Sequence, residues 1–74
     1  MVYEKLDSMK IGNRIKSLRT ERGETTEDMA RSIGTSCSAI GMYENGQRVP
    51  RDEIKIRLAN YFNETVENLF FKAE

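Results

Sequence analysis

A short run near the middle of the sequence carries its most specific chemistry. Between Ser36 and Asn45, helical spacing turns Ile40 and Tyr43 inward and leaves Cys37, Ser38, Gly41 and Met42 facing outward. A serine hydroxyl both donates and accepts hydrogen bonds, so Ser38 suits a base edge. The Cys37 thiol and the Met42 thioether suit contact with a thymine methyl group, and Gly41 lets a backbone or sugar approach closely. Arg48 and Arg51 follow, on either side of Pro50. Their forked guanidinium donors match phosphate oxygens. Together these groups fit a duplex, with the backbone held by cations and the base edges met by small groups. The outward face offers no Arg, Lys, Asn or Gln before Asn45, so direct readout by this helix is expected to be weak.

These residues must be positioned by the stretch from Thr26 to Asn45, TEDMARSIGTSCSAIGMYEN. Met29, Ala30 and Ile33 share one face of a helix over 26–33. Gly34 ends it where the chain needs positive φ, and Ser36 caps a second helix from Cys37 to about Asn45. A small residue at Ala30 permits a close crossing. The order of small residue, glycine, isoleucine and apolar residue predicts a helix-turn-helix. An αα-corner with no partner satisfies the same spacing.

The flanks supply the rest of an expected core. Ile11, Ile15 and Leu18 form an apolar stripe on a helix over 10–22, which Gly23 stops. Arg19 borders that stripe, either as a snorkelling surface group or as half of a partly buried ion pair. Thr25 is expected to cap the second helix with Asp28 three residues on. Asn-Gly at 45–46 is expected to supply left-handed positions, and Pro50 to precede a fourth helix over 51–63. That helix carries Ile54, Leu58, Tyr61 and Phe62 inward, with Ile56 off the stripe. Asn63 reads as a left-handed terminus. Thr65 caps a last helix over 66–70 with Val66, Leu69 and Phe70 inward. Phe71 is then surplus, either folded on the core or placed in a dimer contact, and the tail LFFKAE is alternatively a strand. Residues 1–9 read as an arm, a helical turn or a strand, from which Lys5 and Lys10 are within reach of phosphates. The division expected is an arm over 1–9, a domain over 10–71 and a tail over 72–74.

Composition narrows the function classes. The 74 residues carry 12 basic and 12 acidic side chains, for a net charge of zero. Five of the basic ones lie between Lys10 and Arg22 against one acid, Glu21, which suggests a local positive field at one end. Histidine is absent and Cys37 is the only cysteine. An internal disulfide is therefore excluded, a Cys/His metal site is not expected, and the commonest general base is missing. No nucleophile–base pair and no phosphate-binding glycine loop is evident, so no enzyme activity, cofactor or small-molecule ligand is expected. With no signal peptide and no long apolar run, a cytoplasmic location without membrane contact is expected.

The segments IGNRIKSLRTERG, TTEDMARSIGTS, IGMYENGQRVP, RLANYF and VENLF together resemble the Cro/phage-repressor helix-turn-helix family, also called the xenobiotic-response-element type. The YEN tripeptide followed by GxRxP is the most specific element. The resemblance implies an all-α, five-helix, lambda-repressor-like fold with the helix-turn-helix at helices 2 and 3. It further implies homodimers on pseudo-palindromic double-stranded DNA operators, regulating transcription, most simply as repressors that occlude a promoter. Carried over by position, Thr26, Ser36, Cys37, Ser38, Met42, Asn45, Arg48 and Arg51 would contact DNA. Thr26 stands where the family usually has a glutamine. Arg19 and Glu44 match a pair that ties helix 1 to the end of helix 3. Self-association is expected through Leu69, Phe70 and Phe71. The competing function is a protein-interaction module of the same fold with little DNA binding, which the thiol and thioether on helix 3 favour. A further alternative makes Cys37 a redox-sensitive thiol.

Overall fold

Four side-chain caps punctuate the chain. The computed structural model describes the backbone of residues 3–5 and 7–73 and the side chains of residues 7–71. Asp7 accepts from the backbone N–H of Lys10 at 2.9 Å and so starts α1 (Ser8–Glu21). Thr25 and Asp28 form a reciprocal capping box at the head of α2 (Thr26–Ile33). Ser36 caps α3 (Cys37–Glu44), and Thr65 caps α5 (Val66–Phe70). Between these lies α4 (Asp52–Tyr61), which has Arg51 at its cap position and no side-chain cap; the buried Pro50 precedes it. Each cap satisfies an N–H that has no partner within its own helix.

The helix ends follow the expected punctuation. Gly23, Gly34 and Asn63 all take positive φ. At the end of α3, however, Asn45 stays right-handed and Gly46 alone takes φ +75°. The first helix begins at Ser8 rather than at the expected Lys10, because the Asp7 carboxylate caps it two residues earlier.

The five helices make an all-α domain around one core. Ile11, Ile15, Met29, Ile33, Ile40, Tyr43, Ile54, Leu58, Phe62, Leu69 and Phe70 are buried in it. α3 packs on both α1 and α2, α4 on α2 and α5, and α5 on α1. A three-residue ribbon joins the two ends of the described chain. β1 (Tyr3–Lys5) runs antiparallel to β2 (Phe71–Ala73), with Tyr3 opposite Ala73 and Lys5 opposite Phe71. Of the alternatives for the N-terminal stretch, residues 3–5 form a strand. The expected reach of Lys5 to phosphate lies outside the described side chains.

The burial of Leu69 and Phe70 corrects an expectation. Both were expected at a self-association face, yet they are 1% and 0% exposed and pack in the chain's own core. Only Phe71 of that trio stays half-exposed. Helical spacing puts Leu69 and Phe70 on neighbouring faces, and a five-residue helix pressed against both α1 and α4 covers both.

The tightest approach is at Gly12. A Cβ built there would lie 2.5 Å from the carbonyl oxygens of both Tyr43 and Glu44. Those atoms are backbone, so no side chain can swing away to relieve the overlap. Replacing Gly12 with Ala should therefore push α1 off the end of α3. Forced overpacking of this kind costs about 1–3 kcal/mol, which in a domain of this size lowers the thermal midpoint by roughly 4–24 °C. A calorimetric or circular-dichroism melt checks it.

Candidate nucleic-acid interface

The exposed side of α3 is defined by what its other side buries. Ala39, Ile40, Tyr43 and Glu44 face inward. Ser38 and Cys37 are exposed, as their spacing predicted, whereas Gly41 and Met42, also expected to face outward, are half-buried. Ser38, Gly41, Met42 and Asn45 stand three and four residues apart, so they line one face.

The head of this face is a junction of two helix N-termini. Thr26 Oγ1 lies 3.1 Å from Cys37 Sγ, which joins the starts of α2 and α3. Ser36 Oγ accepts from the Ala39 N–H at 3.0 Å. Its acceptor role is structural, while its hydroxyl proton remains available to donate. Asp28 anchors the neighbouring cap. The Thr25 hydroxyl, and then its backbone N–H, hold the Asp28 carboxyl below its ordinary value. The carboxylate favours the folded state at neutral pH, and its contribution is lost as pH falls through that lowered value.

The tail of the face folds back on the helix. The N–H groups of Gln47 and Arg48 both donate to the Met42 carbonyl, at 2.9 and 3.3 Å. Gly46 makes this turn possible through its positive φ and its missing Cβ, since a Cβ there would lie 2.6 Å from Met9 Sδ. The Arg48 guanidinium sits 5.9 Å from the centre of the Tyr43 ring, within cation–π range. Arg51 occupies the cap position of α4. Both arginines are exposed, and neither enters an ion pair among the described residues.

The charge around this face follows from one internal pair. From residue 35 to residue 51 the sequence holds a single acid, Glu44. Its side chain is 6% exposed and is gripped by Arg19, with Nε 2.6 Å from Oε2 and Nη2 3.0 Å from Oε1. Arg19 Nη1 also donates to the Glu24 carbonyl at 2.8 Å. The hydrogen bonds to Glu44 raise the Arg19 pKa further above its already high value. The bidentate pair holds α1 to the end of α3. It leaves no exposed carboxylate between residues 35 and 51.

The basic run on α1 is a different matter. Arg14 donates to the Asn68 carbonyl, and Arg22 pairs with Glu24, donates to the Tyr61 carbonyl and lies 4.5 Å above the Tyr61 ring. With Arg19, three of the side chains expected to make a positive field also tie the helices together, and two of them, Arg19 and Arg22, are paired with carboxylates. Lys10 and Lys16 are exposed.

Several structural roles were not anticipated. Arg57 donates to the Ile33 carbonyl at 3.2 Å, placing a cation at the C-terminus of α2. Gly12 was visible only as a small residue beside the Ile11–Ile15 stripe. Gln47, exposed between Asn45 and Arg48, was passed over although its amide is a natural base or phosphate partner. Among the described residues no group of His, Cys, Asp and Glu could hold a metal ion, and no helix is long and apolar enough to cross a membrane.

Comparison with known proteins agrees with this geometry. A family profile described as "Helix-turn-helix domain" matches residues 12–74. The HTH-type transcriptional regulator YazB of Bacillus subtilis (strain 168), itself uncharacterized, is 34% identical over 58 residues, or 78% of this chain and 84% of YazB. The crystal structure of the restriction-modification controller protein C.AhdI from Aeromonas hydrophila superposes with a TM-score of 0.79. It is 33% identical and covers 86% of this chain and 97% of its own. The biofilm master regulator SinR, crystallised in complex with DNA, superposes with a TM-score of 0.73 at 25% identity, covering 80% of this chain and 95% of its own.

Replacing Arg19 with Met leaves Glu44 buried without its partner. Breaking one side of such a pair costs about 3–5 kcal/mol, whereas the double replacement with Glu44→Met should recover much of that loss. Urea denaturation of the two single variants and the double variant measures the coupling.

Proposed function

Because the chain belongs to the helix-turn-helix domain family, we propose that it is a sequence-specific double-stranded-DNA-binding transcriptional regulator. It acts as a repressor, binding as a homodimer to a pseudo-palindromic operator in the cytoplasm. The observation that carries this reading is the outward side of α3 and its following loop. That surface presents hydrogen-bonding and apolar groups with two free guanidinium groups and no exposed carboxylate.

The roles divide by chemistry. Arg48 and Arg51 hold phosphates as bidentate donors, and Asn45 adds an amide beside them. Thr26 and Ser36, at the heads of α2 and α3, donate to phosphates where the helix dipoles favour an anion. Ser38 meets a base edge, while Cys37 and Met42 contact thymine methyl groups. These are modest readers, so DNA shape supplies part of the specificity. Repression needs only occupancy of the promoter, and no step is catalytic. The names of the relatives support this reading: YazB is an HTH-type transcriptional regulator, C.AhdI is a controller protein, and SinR was crystallised with DNA.

Selection from a randomised duplex library followed by anisotropy titration tests the proposal. An enriched, near-symmetric sequence should bind more tightly than random duplex, and affinity should fall as salt rises. Replacing Arg48 and Arg51 together with Ala should weaken binding to all duplexes and reduce the salt slope by about 2. Ser38→Ala should instead cost about 1 kcal/mol or more on the selected sequence alone. Binding that never exceeds that to random duplex would overturn the reading in favour of a protein-interaction module.

A further inference from the structure

Of the five glycines in the chain, one has no explanation in the fold. Gly23, Gly34 and Gly46 take positive φ, and Gly12 lies against the carbonyl oxygens at the end of α3. Gly41 does neither. It sits inside α3, and among the described residues a Cβ built there would meet nothing within 4 Å beyond its chain neighbours and its own helix backbone. Apart from proline, glycine is the least favourable residue in a helix interior, and alanine would fit here without steric cost. The missing side chain leaves a notch in the outward face that no packing contact of the described chain requires.

The surroundings say what such a notch can hold. Cys37 and Ser38 stand one helical turn before it and Asn45 one turn after. Thr26 Oγ1, 3.1 Å from Cys37 Sγ, fixes the thiol at one edge. The Gly41 carbonyl accepts from the Asn45 N–H at 3.0 Å, so the backbone under the notch is spent on the helix and offers shape and apolar contact. The groups assigned to phosphate lie at the two ends of the face, Thr26 and Ser36 at its head and Arg48 and Arg51 beyond its tail. Gly41, midway along α3, is then set over the base edges on the floor of a major groove, away from the sugar–phosphate walls.

The one apolar group on those edges is the C5-methyl of a pyrimidine. We propose that the Gly41 notch receives this methyl group, so that the domain selects duplexes by C5-methylated pyrimidines, 5-methylcytosine as well as thymine. Both bases carry the methyl on the same ring carbon. Beside it thymine presents the O4 acceptor and cytosine the N4 donor. The Ser38 hydroxyl, one turn away, donates and accepts and so meets either. Cytosine without the methyl leaves the notch empty, and a purine sets its N7 acceptor against the Gly41 Cα. The inference rests on the regulator reading and deepens it. It makes cytosine methylation a determinant of affinity and Gly41 the residue that reads it.

Anisotropy titration of the selected duplex tests it, with thymine, deoxyuridine, 5-methylcytosine or cytosine placed in turn at each pyrimidine of one half-site. At one position the wild-type chain should bind thymine about fourfold more tightly than deoxyuridine, and 5-methylcytosine about fourfold more tightly than cytosine, the change expected for burying one methyl group. In Gly41→Ala both differences should disappear at that position, with binding to the unmethylated forms kept. The variant should melt no lower than the wild-type chain, since alanine favours the helix. Four results overturn the proposal and leave the regulator reading standing: no methyl effect at any position, an effect at thymine without one at cytosine, methyl effects that Gly41→Ala leaves unchanged, or a variant that loses affinity equally for methylated and unmethylated forms. Failure to select any duplex would instead overturn the regulator reading, and this inference with it.

Discussion

The crossing of α1 over the end of α3 is the constraint on which the rest depends. At eight residues, α3 is far too short to be stable alone in water. Its place is set from outside by two contacts on one face of α1. Gly12 lets the helices touch backbone to backbone at Tyr43 and Glu44. Two turns further on, Arg19 grips the Glu44 carboxylate through two hydrogen bonds and reaches the Glu24 carbonyl with a third nitrogen. The first contact sets the distance between the helices and the second sets their register. The same pair removes the only acid of α3 from the outer surface, so the interaction that builds the fold also sets the charge on the outward side of α3.

Net charge conceals this partition. The chain is neutral overall, a balance that does not announce a nucleic-acid partner. Its arginines, however, do two kinds of work. Arg14, Arg19, Arg22 and Arg57 close helix ends and junctions by donating to carbonyl oxygens, and three of these also pair with carboxylates. Arg48 and Arg51 stand outside that network. A guanidinium paired with a carboxylate contributes little external field, whereas one without a carboxylate partner contributes nearly all of its charge. In the basic run of α1 and its cap, Arg19 and Arg22 are offset in this way, whereas Lys10, Arg14 and Lys16 enter no ion pair among the described residues.

Much of this was legible in the sequence because it is local. Caps at Thr25, Ser36 and Thr65, left-handed positions at Gly34 and Asn63, and the inward stripes of α1, α2 and α3 each follow from a few neighbouring residues. Periodicity says which residues share a face, but not which face meets which. The close contact at Gly12 is between residues more than thirty positions apart, and nothing in IGNRI marks it. Lys55 shows the same limit: its charge predicts exposure, yet its stem is covered by α5 and its ammonium lies near Phe70. The double phenylalanine was ambiguous for a related reason. Spacing made Phe71 the surplus residue, but only the packing of α5 against both α1 and α4 shows that Leu69 and Phe70 are fully enclosed and leave none of their surface for self-association. The Arg19–Glu44 pair lay beyond spacing alone and was expected from family resemblance.

The chemistry of α3 bears on how such a domain would discriminate. A hydroxyl, a thiol, a thioether and a bare glycine backbone cannot match the bidentate grip of Arg on guanine or Asn on adenine. One copy on one half-site would then lean on phosphate contacts, which carry no sequence information directly. Two copies held rigidly change that balance. The spacing and orientation of two phosphate-gripping faces must match the groove phase of the duplex, and binding the second half-site becomes an intramolecular event. Specificity then resides in geometry as much as in contacts. Weak readers on α3 are compatible with a selective regulator only if the contact between copies is stiff.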